Sequence, residues 1–255
     1  MRIFVCAKHV PDTAAKITIK EPKGIDESVK YVMNPYDEYG VEEALQLKSK
    51  AGGEVVVVCV GKSDALNTIK SGLAMGADRG ILVKTDETVD QITTAQALAK
   101  AIKDEGEYDI IFMGKQSVDS EGMQTQYRLG ALLDIPVASS VIVFNHQDDK
   151  VVVESEIEGG ARQVIEMKLP CIVAAMRGLN EPRYPKLPDI MKAKKKPVKQ
   201  VELDSLGIDP SSGAMVVEEL SYPPEKPEGK MVEGEDPKQL AENLVKLLKE
   251  EAKVL

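Results

Sequence analysis

The chain has 255 residues, of which 43% are hydrophobic, enough for one large packed domain or two small ones. Its formal net charge of −9 argues against a protein that binds nucleic acid through a basic surface. The basic run at residues 192–199 is local, lacks interleaved aromatic residues and is predicted to be a solvated face. No apolar run reaches about eighteen residues, so no membrane span is predicted.

Three cysteines, Cys6, Cys59 and Cys171, each lie in an apolar run that is typical of a strand. They show no CxxC spacing and no clustering with histidine, so we predict buried free thiols and no metal site. Free thiols indicate a reducing compartment. The first strand is predicted to begin within two residues of Met1, so we expect no signal or transit peptide and a location in a prokaryotic cytoplasm.

The first part of the chain alternates apolar strands with amphipathic helices. One such helix follows Ser63, a candidate cap, and places Leu66, Ile69 and Leu73 on one face. Because crossovers between parallel strands are right-handed, this alternation predicts a doubly wound, mainly parallel α/β sheet. The predicted strands are residues 2–8, 54–60, 81–83 and 108–113.

Ligands of such sheets bind outside the carboxyl ends of the strands, near the point where the strand order reverses. Three loops are therefore candidates for a binding site. They follow the strand that ends near Cys6, the strand that ends at Val60, and the strand that ends before Gly114.

The pattern changes after Pro136. Residues 140–144, 151–157 and 163–168 are predicted to be strands, and Gly159-Gly160 supplies a tight turn between the last two. This antiparallel hairpin section is predicted to complete the same sheet. Residues 207–238 are rich in Gly, Pro, Ser and Glu and predict an extended arm. The arm ends in a helix whose apolar stripe contains Leu240, Leu244, Leu247 and Leu248.

The loop from Gly114 to Thr125 has the richest polar chemistry. Asp119 and Ser120 can cap the following helix, and Gly122 allows a close approach of the backbone. The backbone N–H groups at the start of that helix favour an anion, and the Thr125 hydroxyl can donate to a phosphate oxygen. On the residues alone, phosphate binding and ordinary helix capping both stay open.

Residues 177–196 follow an apolar strand and contain three prolines within seven residues, Pro182, Pro185 and Pro188. Each proline fixes φ and biases its predecessor toward extended geometry, so a stiff, non-helical projection is predicted. Leu187 and Ile190 lie near its tip. Physics alone leaves two interpretations: a surface for a partner, or a crossover whose Leu187 folds back onto its own domain.

Two strings in this segment identify a resemblance. Gly178-Leu-Asn-Glu-Pro-Arg-Tyr184 and Leu187-Pro-Asp-Ile-Met-Lys-Ala-Lys-Lys-Lys196 closely resemble the signature of the electron-transfer flavoprotein beta-subunit family. The resemblance extends over all but about the last forty residues. It implies an adenine-nucleotide alpha-hydrolase-like α/β domain at residues 1–200, which includes a partner-recognition loop at 177–196. Residues 201–255 would then be a C-terminal arm and helix that pack on an alpha subunit.

The resemblance implies a non-catalytic subunit of a heterodimeric carrier that holds FAD mostly in its alpha subunit. Such a carrier accepts electrons from acyl-CoA dehydrogenase-type flavoenzymes in fatty acid oxidation and passes them toward the respiratory chain. The implied docking residues are Leu187, Pro188, Ile190 and Met191, together with Glu156, which corresponds to a family glutamate near the mobile flavin domain.

The resemblance also implies a structural AMP in the beta subunit. The implied nucleotide-binding residues are Cys6, Asn34, Pro35, Tyr36, Asp37, Val60, Gly114, Lys115, Gln116, Ser117, Val118, Asp119, Ser120, Glu121, Gly122, Met123, Gln124 and Thr125.

Electron-bifurcating relatives place a second FAD at the AMP position and carry a Gly-Asp-Thr-Ala-Gln-Val-Gly-Pro-like string. This chain has Ser120-Glu-Gly-Met-Gln-Thr-Gln-Tyr127, which favours AMP, while Lys8-His-Val-Pro-Asp-Thr13 partly resembles the bifurcating type. A stand-alone adenine-nucleotide enzyme such as an ATP pyrophosphatase is a third hypothesis. The chain lacks the Ser-Gly-Gly-x-Asp-Ser phosphate loop of such enzymes, and neither His9 nor His146 is beside a convincing nucleophile.

Overall fold

The computed structural model describes residues 1–20, 23–226 and 228–255. In these ranges the strands are β1 (Arg2–Cys6), β2 (His9–Pro11), β3 (Ile19–Lys20), β4 (Gly24–Ile25), β5 (Tyr31–Met33), β6 (Glu54–Gly61), β7 (Arg79–Lys84), β8 (Ile110–Gly114), β9 (Val137–Gln147), β10 (Lys150–Glu156), β11 (Arg162–Lys168), β12 (Cys171–Ala175) and β13 (Val198–Glu202). The α-helices are α1 (Pro35–Ala51), α2 (Leu66–Met75), α3 (Gln91–Lys103), α4 (Thr125–Leu133), α5 (Leu187–Ala193) and α6 (Pro237–Glu250).

Nine strands form one sheet in the order β11-β10-β9-β12-β8-β1-β6-β7-β13. The seven strands from β9 to β13 in that order pair in parallel, and β10 and β11 add an antiparallel hairpin at one edge. The predicted doubly wound α/β sheet with a hairpin section is therefore confirmed. Two short ribbons, β2 with β5 and β3 with β4, occupy the region between β1 and α1.

The strand order reverses at β1. The chain passes from β1 to β6 and β7 on one side, then returns to β8 and β12 on the other side. The carboxyl ends of β1 and β8 therefore lie side by side, with Cys6 opposite Met113. The loops that leave these two ends diverge, and the crevice between them is where ligands of such sheets bind.

Helices cover both faces of the sheet. Alternate residues of β6 enter different cores: Val55 and Val57 pack with α1 and α2, and Val56 and Val58 pack with α3 and α4. Since β-branched residues on both faces are fully buried, this run is a central parallel strand. Residues of β1 and β8 lie in both cores, so packing on both faces positions the strand ends at the crevice.

The chain divides into two compact units, Met1–Glu218 and Glu219–Leu255. Strand β13 pairs with β7 and crosses residue 200, so the main sheet continues past the boundary that the sequence suggested. The second unit contains α6, whose N-cap Asp236 accepts a hydrogen bond from the Gln239 backbone N–H at 2.8 Å. Within the described ranges, no helix is long and apolar enough to cross a membrane.

The segment at 177–196 differs from its prediction as a non-helical projection, because Leu187–Ala193 is a helix. The helix tolerates Pro188 because that residue lies within its first two positions, where no backbone N–H is needed for the helical ladder. Residues 177–186 remain without helix or strand, as the prolines predicted.

Candidate functional site

The first contact in the crevice joins the loop after β1 to the loop after β8. The Lys8 ammonium lies 2.8 Å from the Asp119 carboxylate and within 3.4 Å of the hydroxyls of Ser117 and Ser120. Burial tends to raise the pKa of Asp119, but the neighbouring Lys8 ammonium holds it below its usual value. A cation and two hydroxyls therefore converge at the switch point, a chemistry suited to a phosphate group.

Asn34 anchors the loop after β8 through two side-chain hydrogen bonds. Its side chain is 1% exposed. The amide nitrogen donates to the Gln116 carbonyl at 2.9 Å, and the amide oxygen accepts from the Val118 backbone N–H at 3.1 Å. Because both halves of the carboxamide are used in this way, Asn34 fixes the conformation of the loop.

Asp37 ties the two strand ends together. One carboxylate oxygen accepts from the Lys8 backbone N–H at 2.7 Å, and the other accepts from the Gly114 backbone N–H at 2.8 Å. Burial raises the pKa of this carboxyl to about 7, although the N–H donors act in the opposite direction. Asp37 was predicted to bind the cofactor; in the structure each of its oxygens accepts a backbone N–H of the chain itself, and its role toward a cofactor stays a prediction.

Close packing excludes a Cβ atom at Gly114, and at Gly122 a Cβ atom would displace the end of the Gln91 side chain. A Cβ atom on Gly114 would lie 2.5 Å from an Asp37 carboxylate oxygen and 2.6 Å from the Tyr36 Cβ. A Cβ atom on Gly122 would lie 2.5 Å from the side-chain amide nitrogen of Gln91. The loop is therefore wedged between the start of α1 and the start of α3.

The remaining predicted nucleotide residues differ in accessibility. Cys6 is buried, and burial raises the pKa of its thiol, so the side chain contributes to packing and is not a reactive thiolate.

At the end of the loop, the carboxamide oxygen of Gln124 accepts from the Arg128 guanidinium at 2.6 Å, and Thr125 begins α4. Glu121 and Met123 adopt positive φ angles of 49° and 50°. Partly exposed positions are Pro35, Tyr36, Val60, Lys115, Gln116, Ser117, Val118 and Thr125.

Two contributors were absent from the predicted site. Lys8 was recognisable, since it lies two residues after the end of β1, at the switch point. Gln126 was not, because it lies within a helix pattern. It is 1% exposed and its amide nitrogen donates to the carbonyls of Lys115 at 2.9 Å and Met123 at 3.2 Å. Gln126 thus ties both ends of the loop to α4.

The second predicted site is an exposed apolar face on α5. Leu187, Ile190 and Met191 are 73%, 42% and 55% exposed. Their i, i+3, i+4 spacing places them on one side of the helix. The helix is anchored at its C-terminal end, because Ala193 is 3% exposed and α5 packs against α2. Leu187 therefore does not fold back into its own core.

Glu156, the other predicted docking residue, lies on a different element. It is the last residue of β10, it is exposed, and it pairs in register with Arg162 of β11.

Comparison with known proteins agrees with this architecture. The model of the electron transfer flavoprotein domain family matches residues 23–206. The chain is 40% identical over 260 residues to the electron transfer flavoprotein subunit beta of Bacillus subtilis, and all of both chains is covered. It is 41% identical to that of Bradyrhizobium diazoefficiens, again with full coverage of both. It is 40% identical to that of Mus musculus, with 100% and 99% covered. The chain therefore belongs to the electron transfer flavoprotein beta-subunit family.

Proposed function

We propose that this chain is the non-catalytic beta subunit of a heterodimeric carrier and that it binds one AMP in the crevice between β1 and β8. The single observation that supports the site best is the convergence of Lys8, Ser117 and Ser120 at the switch point. The same loop leads into the start of α4, where the free backbone N–H groups and the positive end of the helix dipole favour an anion. A phosphate placed there would replace Asp119 as the main partner of the Lys8 ammonium.

AMP is favoured over a second FAD by the aromatic content of the site. Of the predicted nucleotide-binding residues, Tyr36 alone is aromatic, and the Lys115 ammonium lies 5.6 Å from the centre of its ring. An isoalloxazine usually needs a broad apolar or aromatic surface. A second FAD at this position, as in electron-bifurcating relatives, is the alternative.

The same proposal assigns the partners. A beta subunit implies an alpha subunit, and we propose that the alpha subunit holds most of the contacts to the redox-active FAD. The exposed α5 face would dock on acyl-CoA dehydrogenase-type flavoenzymes, from which electrons pass toward the respiratory chain. Cys6, Cys59 and Cys171 are all unpaired thiols, which fits a reducing compartment such as the cytoplasm.

A substitution of the central cation tests the nucleotide site. Lys8→Met removes the ammonium and keeps most of the apolar stem. Hydrogen bonds to charged groups contribute about 1.5–3 kcal/mol, so we expect AMP to bind roughly tenfold to 150-fold more weakly. The assay is calorimetric titration of AMP into the nucleotide-stripped heterodimer.

Lys150→Met is the matched control. Lys150 forms a lysine–carboxylate pair of similar length with Glu166, at 2.7 Å, on the hairpin. Equal AMP affinities for the Lys8 variant, the control variant and the wild type would exclude the crevice as the phosphate site.

A further inference from the structure

Two buried acidic residues on α1 have no part in the nucleotide crevice. Glu42 and Glu43 are only 4% and 6% exposed. Glutamate is almost never buried to this degree unless a partner compensates its charge. Glu42 has a cationic partner and Glu43 has a neutral amide partner, both about 140 residues further along the chain, in the stretch that leads to α5.

Arg183 is the partner of Glu42. Its Nε donates to one carboxylate oxygen at 2.7 Å, and its Nη2 donates to the other at 2.9 Å. The Arg183 backbone N–H adds a third bond at 3.2 Å. The pKa of Glu42, which burial would raise, is held below its usual value by these donors. Such a bidentate fork fixes both the position and the orientation of the guanidinium.

Asn180 adds a second connection on the same helix. Its amide nitrogen donates to the Tyr39 carbonyl at 3.0 Å and to the Glu43 carboxylate at 2.9 Å. Residues 180–183 are thus attached to α1 by both side chain and backbone.

The other end of the segment is attached to α2. The Lys196 ammonium donates to the carbonyls of Leu73 at 2.9 Å and Ala77 at 2.5 Å, at the C-terminal end of that helix. Cations are favoured at this end by the helix dipole. Between Arg183 and Lys196 lies α5 with its exposed Leu187.

We propose that the Glu42–Arg183 fork is a positioning pair, which holds α5 and Leu187 in the orientation that a docking partner requires. This inference rests on the proposed docking function. The Arg183 guanidinium gives its fork to Glu42 although 47% of its side chain is exposed, and we assign it to orienting the segment. A segment that is already ordered loses less conformational entropy on binding, and removal of the fork should weaken docking without changing the electron-transfer step.

The test combines two readouts on the purified heterodimer. Hydrogen–deuterium exchange of amides 187–196 reports the order of the segment, and the KM for a reducing acyl-CoA dehydrogenase reports docking. The double variant Glu42→Gln/Arg183→Gln removes both charges together, so that the Glu42 carboxylate is not left buried without its cation. Arg183→Lys keeps the charge and loses the fork. Lys150→Gln is the control, because Lys150 forms an ordinary ion pair with Glu166 at 2.7 Å on the hairpin.

For both Arg183 variants we expect exchange in 187–196 to be at least about tenfold faster and KM to rise about tenfold. The kcat and the bound nucleotide should stay at wild-type values, as should every readout of the control. Unchanged exchange in the double variant overturns the positioning role, and wild-type exchange in Arg183→Lys overturns the requirement for a fork. Faster exchange with an unchanged KM supports the positioning pair but refutes docking through α5, so the two claims fail separately.

Discussion

The substitution Leu187→Ala distinguishes two possible roles of Leu187, contact with a docking partner and packing in the core of its own chain. The side chain is 73% exposed in the isolated chain. Full burial of a leucine contributes about 1.5–3 kcal/mol. A partner that covers the exposed three quarters would therefore gain about 1.1–2.2 kcal/mol, and its loss should weaken docking by roughly sixfold to fortyfold.

The same exposure limits the effect on folding. A buried leucine costs about 2–5 kcal/mol when it is truncated to alanine. Since only a quarter of Leu187 is covered by its own chain, we expect a loss of less than about 1 kcal/mol in the free energy of unfolding. Leucine and alanine are both good helix formers, so α5 itself should persist.

The assay measures both quantities on one preparation of the heterodimer. Steady-state reduction by an acyl-CoA dehydrogenase gives KM, and thermal unfolding gives stability. Leu132→Ala, at a 42% exposed leucine of α4, is the matched control. Normal reduction kinetics for Leu187→Ala together with a large fall in melting temperature would refute the docking hypothesis.

Two further predictions concern the nucleotide crevice. Thr125→Val replaces a hydroxyl at the start of α4 with a methyl, so AMP should dissociate about tenfold faster, as measured by nucleotide release from the heterodimer; an unchanged release rate would exclude a phosphate contact by this residue. The pKa of Asp37 is raised from 3.8 to about 7, so the folded chain binds its proton more tightly than the unfolded chain. Stability should therefore fall as pH rises from about 4 to about 7, by up to about 1.4 kcal/mol per pH unit. Asp37→Asn should flatten this slope in urea titrations, and parallel curves for variant and wild type would contradict this assignment.

Much of the fold could be predicted because its signals are local. The β-branched run at Val55–Val58 is too apolar on both faces for an exposed strand, and it lies at the centre of the sheet. The alternation of such strands with amphipathic helices then leaves few possible strand orders for the sheet. Between β1 and α1 the sequence predicted one edge strand at residues 15–20, of which only Ile19–Lys20 is a strand. The other ribbon strands were not predicted, since they are two or three residues long and too short for a periodic pattern.

The site could be predicted in position but not in its internal contacts. Polar residues at strand ends indicated the crevice. That Asp37 would bond to the backbone of both Lys8 and Gly114 depends on packing between segments 77 residues apart in the chain. The basic run at 192–199 was predicted to be a solvated face, yet Lys196 is half-buried against α2. Composition cannot distinguish a solvated lysine from one that caps a distant helix.

The most direct test of the proposed function is the identity of the nucleotides that the intact heterodimer carries. Denaturation of the purified complex, followed by mass spectrometry and quantification of the released nucleotides, measures both sites at once. The proposed function predicts one AMP and one FAD per heterodimer. Two FAD molecules and no AMP would contradict it and would establish the crevice between β1 and β8 as a second flavin site.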